Sequence, residues 1–125
     1  MDRADLGALG ALGERIACEY LVKKGYNIVG QNWRITFGEI DIIARNGKTI
    51  HFVEVKAILD KGGFFPEQHV DYKKQRKLRQ MAQIWLSQNN YPQDIPHQID
   101  IIGILVNQIT RNAKLHYFPN AVEGS

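Results

Sequence analysis

The chain has little cysteine, and it has no long apolar run. Its single cysteine, Cys18, excludes an internal disulfide bond. No apolar stretch approaches the roughly 20 residues that a helix needs to span a bilayer. The first residues, Met1 to Asp5, lack the basic and then apolar layout of a secretory signal peptide. These absences predict a cytoplasmic protein without a membrane segment, and the scattered histidines do not predict a zinc site.

The composition is otherwise that of an ordinary globular protein. The chain has 125 residues, of which 44% are hydrophobic and 23% are charged. That length favours a single domain over residues 1–125 and is sufficient to bury a core. The net charge of +3 is compatible with a polyanionic partner but does not identify one.

The segment from Gly38 to Lys56 predicts two strands joined by a tight turn. Asn46-Gly47 is the strongest short-range signal for a β-hairpin, because both central positions of a type I′ turn need positive φ. If these two residues form the loop, Asp41 lies opposite Phe52 and is a diagonal neighbour of Glu54, about 7–8 Å away. Side chains alternate along a strand, so four charged residues share one face: Glu39, Asp41, Glu54 and Lys56.

Three carboxylates on one face of an apolar hairpin need a physical reason, because like charges opposite one another destabilise a sheet. A divalent cation between Asp41 and Glu54 supplies one, since Mg²⁺ prefers carboxylate oxygens and keeps positions open for water and phosphate. The alternative is a solvated hairpin face on which Lys56 pairs with Glu54. The spacing alone leaves both interpretations open.

The same residues resemble the Asp…Glu-X-Lys signature of restriction-endonuclease-like nucleases, with Asp41 followed by Glu54-Val55-Lys56. The flanking sequence makes this resemblance more specific. From about Gly10 to about Asn120 the chain resembles the YraN-type proteins, a bacterial family assigned to that superfamily and similar to the archaeal Holliday-junction resolvases. Four segments carry the resemblance: Gly10–Ala17, Asn32–Arg34, Gly38–Asp41 and Phe52–Lys56.

The resemblance implies a metal-dependent nuclease that hydrolyses phosphodiester bonds in DNA, including branched or junction DNA. Asp41, Glu54 and the backbone carbonyl of Val55 would hold Mg²⁺ or Mn²⁺. Lys56 would orient the attacking water or stabilise charge on the phosphate. Glu14 matches a helix-1 glutamate of the resolvase-like proteins and would complete the metal shell. Junction-type substrates would suit a homodimer.

The hydrophobic pattern predicts the element order helix, three strands, helix, and one or two strands. That order fits the restriction-endonuclease-like α/β core, α-β-β-β-α-β, with a central mixed sheet flanked by helices. In the first helix, Gly10 and Gly13 either let another backbone approach or mark a frayed start. Asp100, inside an apolar strand, must be paired, lie at the strand's end, or belong to a site. The predicted elements are a first helix ending before Gly25, strands at 26–35, 38–45 and 49–57, a helix at about 67–87, and strands at 98–106 and 114–118.

The second predicted helix carries five cations and no acid over residues 73–79. Its apolar stripe, formed by Leu78, Met81, Ala82 and Trp85, places Lys74 and Gln75 on the sheet side. A basic run on a helix is usually a solvated face, but this one begins beside the expected metal site, which favours contact with phosphates. The predicted nucleic-acid-binding residues are Lys73, Lys74, Gln75, Lys77 and Arg34.

Two alternative functions keep the same fold. A non-catalytic nucleic-acid-binding module is favoured by Ile58, which stands where the YraN-type proteins usually have arginine. The segment 98–100, Gln-Ile-Asp, also departs from the family's common Arg-Phe-Asp. A protein-interaction domain is favoured by the modest net charge. The joint presence of Asp41, Glu54 and Lys56 argues for the nuclease against both.

Overall fold

A computed structural model describes residues 3–60 and 72–121, with side chains over residues 7–60 and 73–121. The predicted start of the second helix near residue 67 lies outside this part of the chain. Neither described helix has the length and apolar character needed to cross a membrane. The elements are α1 (Arg3–Lys23), β1 (Asn27–Ile35), β2 (Gly38–Asn46), β3 (Thr49–Leu59), α2 (Tyr72–Gln88), β4 (His97–Val106) and β5 (Ala113–Phe118).

The five strands form one sheet in the order β1-β2-β3-β4-β5. Neighbouring strands are antiparallel except β3 and β4, which are parallel and are connected through α2. The mixed sheet and the α-β-β-β-α-β order confirm the predicted fold. β3 is the central strand, because two strands lie on each side of it.

The helices cover opposite faces of the sheet, so each strand contributes alternate side chains to two separate cores. On one face, Ala17 and Leu21 of α1 pack with Ile42, Val53 and Ile102. On the other face, a second buried cluster forms around the predicted stripe of α2. Its members include Leu78, Met81, Ala82 and Trp85, with Ile43, Phe52, Ile99 and Ile101 from the strands.

The close packing of α1 on β3 depends on Gly13. A Cβ atom added at Gly13 would lie 2.6 Å from the Cβ of Ala57, closer than two carbon atoms can approach. At Gly10, in contrast, an added Cβ would meet nothing within 4 Å. Of the two interpretations left open for these glycines, close approach therefore holds for Gly13 and not for Gly10. Gly13 brings the first turns of α1, and with them Glu14, down onto the sheet.

The β2–β3 hairpin has a different loop from the predicted one. Asn46 still pairs with Thr49, and the loop consists of Gly47 and Lys48. Of these two, only Gly47 has positive φ, at 61°. That is the pattern of a type II′ turn, which needs glycine at its first central position, whereas type I′ needs positive φ at both.

The shifted loop moves the register of the hairpin by two residues. Phe52 pairs with Ile43, so the prediction that Asp41 lies opposite Phe52 and diagonal to Glu54 is wrong. Pairing of β2 with β3 ends at Ile42 and Val53. Past that point β2 continues beside β1, and β3 continues beside β4. Asp41 and Glu54 therefore lie at the same level, one step beyond the last pair, where the two strands separate.

Candidate metal centre and nucleic-acid interface

The separation of β2 from β3 leaves the backbone of β3 without a strand partner on one side. Val55, just past the last pair, donates its N–H to Oδ2 of Asp41 at 2.7 Å. The Asp41 carboxylate thus takes the place that a carbonyl of β2 would hold in a continuous ladder. The sheet itself fixes this side chain at the mouth of the gap.

Three carboxylates from two elements converge beside this gap. One oxygen each from Glu14 of α1 and from Glu39 and Asp41 of β2 lie within 4.8 Å of one another. Glu39 also forms an ion pair with the exposed Arg34, at 2.8 Å from Nε to Oε2. The structure thus brings together the predicted Glu14 and Asp41. It adds Glu39, which the sequence had placed on the same face but not in the metal shell.

Asp41 is electrostatically frustrated in this arrangement. Burial raises the pKa of its carboxyl to about 7. The hydrogen bond from Val55 opposes this rise in pKa. Neighbouring acids add to it: Glu14, Glu39 and Glu54. Near neutral pH the carboxyl accepts a proton readily, and a divalent cation would favour its ionised form instead.

Glu54 occupies a half-buried position on the other side of the gap. One of its oxygens, Oε1, forms an ion pair with Nζ of Lys74 on α2. The other, Oε2, is buried and has no hydrogen-bond partner among the described residues. The partner of Glu54 is therefore Lys74, not Lys56 as the solvated-face alternative required. A buried carboxylate oxygen without a partner is costly, and it is what a bound cation would satisfy.

A cavity of about 400 Å³ lies between the hairpin and α2. Glu39 and Glu54 contribute the acidic part of its lining. The basic part comes from α2, through Lys73, Lys74 and Lys77. Of the other predicted residues, Gln75 is half-buried on α2, and Lys56 is half-buried on β3, two residues beyond Glu54. An acidic wall opposite a lysine wall suits a cation and a phosphate bound side by side.

The donor set fits the implied Mg²⁺ or Mn²⁺. All of the converging side chains offer carboxylate oxygens, the ligands that these hard cations prefer. The orphaned oxygen of Glu54 and the raised pKa of Asp41 both lie at this place. A bound divalent cation would contact the oxygen of Glu54 and lower the pKa of Asp41.

Asp100, on β4, belongs to a different and fully satisfied network. Its carboxylate accepts hydrogen bonds from Gln98 Nε2 at 2.8 Å, from the backbone N–H of Asn120 at 2.7 Å, and from the hydroxyl of Tyr117. His51 Nδ1 lies 2.6 Å from Oδ2. Burial alone would raise the pKa of Asp100, but these partners outweigh it and lower the pKa. The sequence required Asp100 to be paired, to lie at the end of its strand, or to belong to a site, and the structure shows that it is paired.

Comparisons with known proteins identify the family of this chain. The sequence model of the family described as "Uncharacterised protein family UPF0102" matches residues 13–104. The UPF0102 protein of Geotalea uraniireducens is 44% identical over 104 residues, which cover 83% of this chain and 81% of that protein. The UPF0102 protein of Thermodesulfovibrio yellowstonii is 39% identical over 113 residues, covering 90% and 94%.

A third relative, the UPF0102 protein of Caldanaerobacter subterraneus, is 38% identical over 107 residues, covering 86% of this chain and 87% of that protein. None of these names states an activity. The matched segment, residues 13–104, contains all the residues of the site, from Glu14 on α1 to Lys77 on α2. The chain therefore belongs to the UPF0102 family, the same YraN family that its sequence motifs resemble.

Proposed function

We propose that the protein is a metal-dependent nuclease that hydrolyses phosphodiester bonds in DNA, with branched or junction DNA among its substrates. The observation that carries the proposal is the cavity in which carboxylates of the hairpin face lysines of α2. Its acidic side adjoins the Glu14, Glu39 and Asp41 cluster. Such a site holds a cation beside a phosphate, which is the arrangement that hydrolysis of a phosphodiester requires.

The carboxylates would hold the metal. Asp41, Glu54 and Glu14 are the proposed ligands, with the carbonyl of Val55, and Glu39 lies close enough to Asp41 to join them. A bound Mg²⁺ or Mn²⁺ would polarise the phosphoryl oxygen and lower the pKa of a bound water.

The lysines would act on the substrate. Lys73, Lys74 and Lys77 line the cavity and would contact the phosphate backbone. Lys74 neutralises Glu54 in the metal-free protein. A cation at Glu54 would take over that role and leave the ammonium group of Lys74 to a phosphate. Lys56 would orient the attacking water or stabilise charge on the phosphate.

The test is cleavage of junction, single-stranded and duplex DNA in the presence of Mg²⁺, Mn²⁺ or EDTA. We expect cleavage only with metal. The variants Asp41→Asn and Lys56→Ala should lose it by orders of magnitude while remaining folded and keeping the wild-type DNA affinity. Equal metal-dependent cleavage by wild type and both variants would place the activity elsewhere, and the proposal would fail.

Ile58 supports a second candidate function, a nucleic-acid-binding module without catalysis. This half-buried residue of β3 stands where the YraN-type proteins usually have arginine. Under this alternative the lysine wall still binds DNA, and no substrate is cut. Replacing Lys73, Lys74 and Lys77 by Ala should reduce the slope of log affinity against log salt by about 0.9 for each duplex phosphate that the variant no longer neutralises. An unchanged slope would remove α2 from the binding surface under either function.

A further inference from the structure

Phe37, in the turn between β1 and β2, exposes a large aromatic surface beside the basic helix. Its side chain is 43% exposed. The other large hydrophobic residues exposed in the described part of the chain are aliphatic: Val22, Val29 and Ile109. A single exposed ring is ordinary on a protein surface, so any role for Phe37 must be argued from the residues that surround it.

Phe37 borders a second cavity, of about 310 Å³, formed with α2. Lys73, Arg76 and Lys77 line it together with the ring, and Gln80 completes it. Lys73 and Lys77 also line the cavity that contains Glu39 and Glu54. The two cavities therefore adjoin along one side of α2. The carboxylates line the first cavity, the ring of Phe37 lines the second, and the lysines shared by both lie between them.

This order matches the repeating chemistry of a nucleic-acid strand. Phosphates on Lys73 and Lys77 would leave the attached base within reach of the Phe37 ring. In a continuous duplex the faces of the bases are covered by stacking, so a ring at the protein surface has nothing to stack on. An unpaired base offers its face freely, and stacking on an aromatic side chain strengthens binding without regard to sequence.

We propose that Phe37, with Lys73, Arg76 and Lys77, forms a subsite for an unpaired DNA base next to the metal centre. The substrate class is then a strand with unpaired nucleotides, as in single-stranded, flapped or branched DNA, and not a continuous duplex. The inference rests on the proposed function for what happens at the metal centre. The binding of the base does not require catalysis.

The test measures binding in EDTA, so that cleavage does not enter. Affinities are determined at one salt concentration for a single-stranded oligonucleotide and for a fully paired blunt duplex. Phe37→Ala should weaken single-strand binding about 5- to 160-fold, the range that loss of one stacked base gives, and leave duplex binding unchanged. Ile109→Ala is the matched control, because it removes a 93% exposed apolar side chain from the distant β4–β5 loop. It should change neither affinity.

A second variant guards against a folding artefact. Phe37→Trp should keep the single-strand affinity, and the fluorescence it adds over wild type should be quenched by the single strand but not by the duplex. The subsite is overturned if wild type does not bind the single strand, or if Phe37→Ala weakens both ligands equally or neither. If wild type cleaves DNA only with metal and Phe37→Ala binds the single strand as tightly as wild type does, the subsite is refuted and the proposed nuclease function is not. If Phe37→Ala loses affinity for the single strand only and wild type cleaves no DNA, the nuclease function is refuted and the subsite is not.

Discussion

Asp41 and Asp100 are both aspartates inside apolar strands, yet their surroundings are opposite. Asp100 is fully buried and is held by donors from side chains and backbone, and its pKa is lowered. Asp41 has one protein donor, the Val55 N–H, and lies among glutamates, and its pKa is raised to about 7. The fold satisfies one carboxylate completely and leaves the other in a state that a cation would relieve. That contrast gives Asp100 a structural role and makes Asp41 the candidate for a functional one.

The largest expected effect on stability comes from removing each acid in turn. Asp100→Ala should lower the free energy of unfolding by about 3–5 kcal/mol, because the buried donors of His51 and Tyr117 lose their acceptor. Asp41→Ala should change it by no more than about 1 kcal/mol, since the loss of one hydrogen bond is offset by relief of charge repulsion. Urea unfolding in EDTA measures both. Equal losses in the two variants would break the distinction between the two acids.

The pH dependence of stability should differ between the two acids in direction. Unfolded Asp titrates near pH 4. Because the folded pKa of Asp41 is raised, its contribution is present below that pH and is lost as pH rises toward about 7. The lowered pKa of Asp100 gives a contribution present above the unfolded pKa and lost as pH falls below it.

Unfolding midpoints measured without metal should therefore fall between about pH 4 and about pH 7 in wild type. In Asp41→Asn this fall should be absent, and in wild type an excess of Mg²⁺ should reduce it. Acid sensitivity below pH 4 should remain in Asp41→Asn, because it arises from Asp100. A fall of the same size in Asp41→Asn would show that other groups titrate there.

The smallest expected effect comes from glycine substitutions in α1, which contributes Glu14 to the surroundings of Asp41 but, within the described part of the chain, no hydrogen bond to Asp100. Gly13→Ala should destabilise the protein by about 1–3 kcal/mol, because its Cβ would overlap Ala57 and push α1 away from β3. Gly10→Ala is the matched control. It should stabilise the helix by up to about 1 kcal/mol, since nothing lies near the added methyl group.

Gly13→Ala and Gly10→Ala also test whether α1 affects Asp41 without affecting Asp100. Gly13→Ala should weaken Mg²⁺ binding measured by calorimetry, because Glu14 moves with α1 away from Asp41. Among the described residues, no side chain of α1 forms a hydrogen bond with Asp100, so the acid sensitivity that arises from Asp100 should remain. Stronger metal binding by Gly13→Ala than by Gly10→Ala would contradict this account.

Local sequence signals predicted the elements and the cores well. Periodicity identified both helices and the buried stripe of α2, because burial on one face imposes that spacing. The hairpin register was missed by two residues. The Asn46-Gly47 pair is compatible with a type I′ turn that has both residues in the loop. It is equally compatible with a type II′ turn that begins at Gly47, and only the packing of the strands decides between the two.

The long-range partners could not be predicted in the same way. That Lys74 pairs with Glu54 depends on how α2 crosses the sheet, which spacing does not encode. The network of Asp100 joins residues of β3, β4 and β5 that are far apart in the chain. Glu39 was left out of the predicted metal shell although the sequence could have included it, since it precedes Asp41 by two residues on the same predicted face.

The hydrogen bond from Val55 to Asp41 makes one backbone amide a natural spectroscopic reporter. Most strand amides donate to carbonyls whose charge never changes, but this one donates to a group that gains and loses a proton and would bind a cation. The NMR resonance of the Val55 amide should therefore shift with pH and with added metal far more than those of its neighbours in β3. A titration followed at this single signal reads the charge of Asp41 directly, without a substrate or a chromophore.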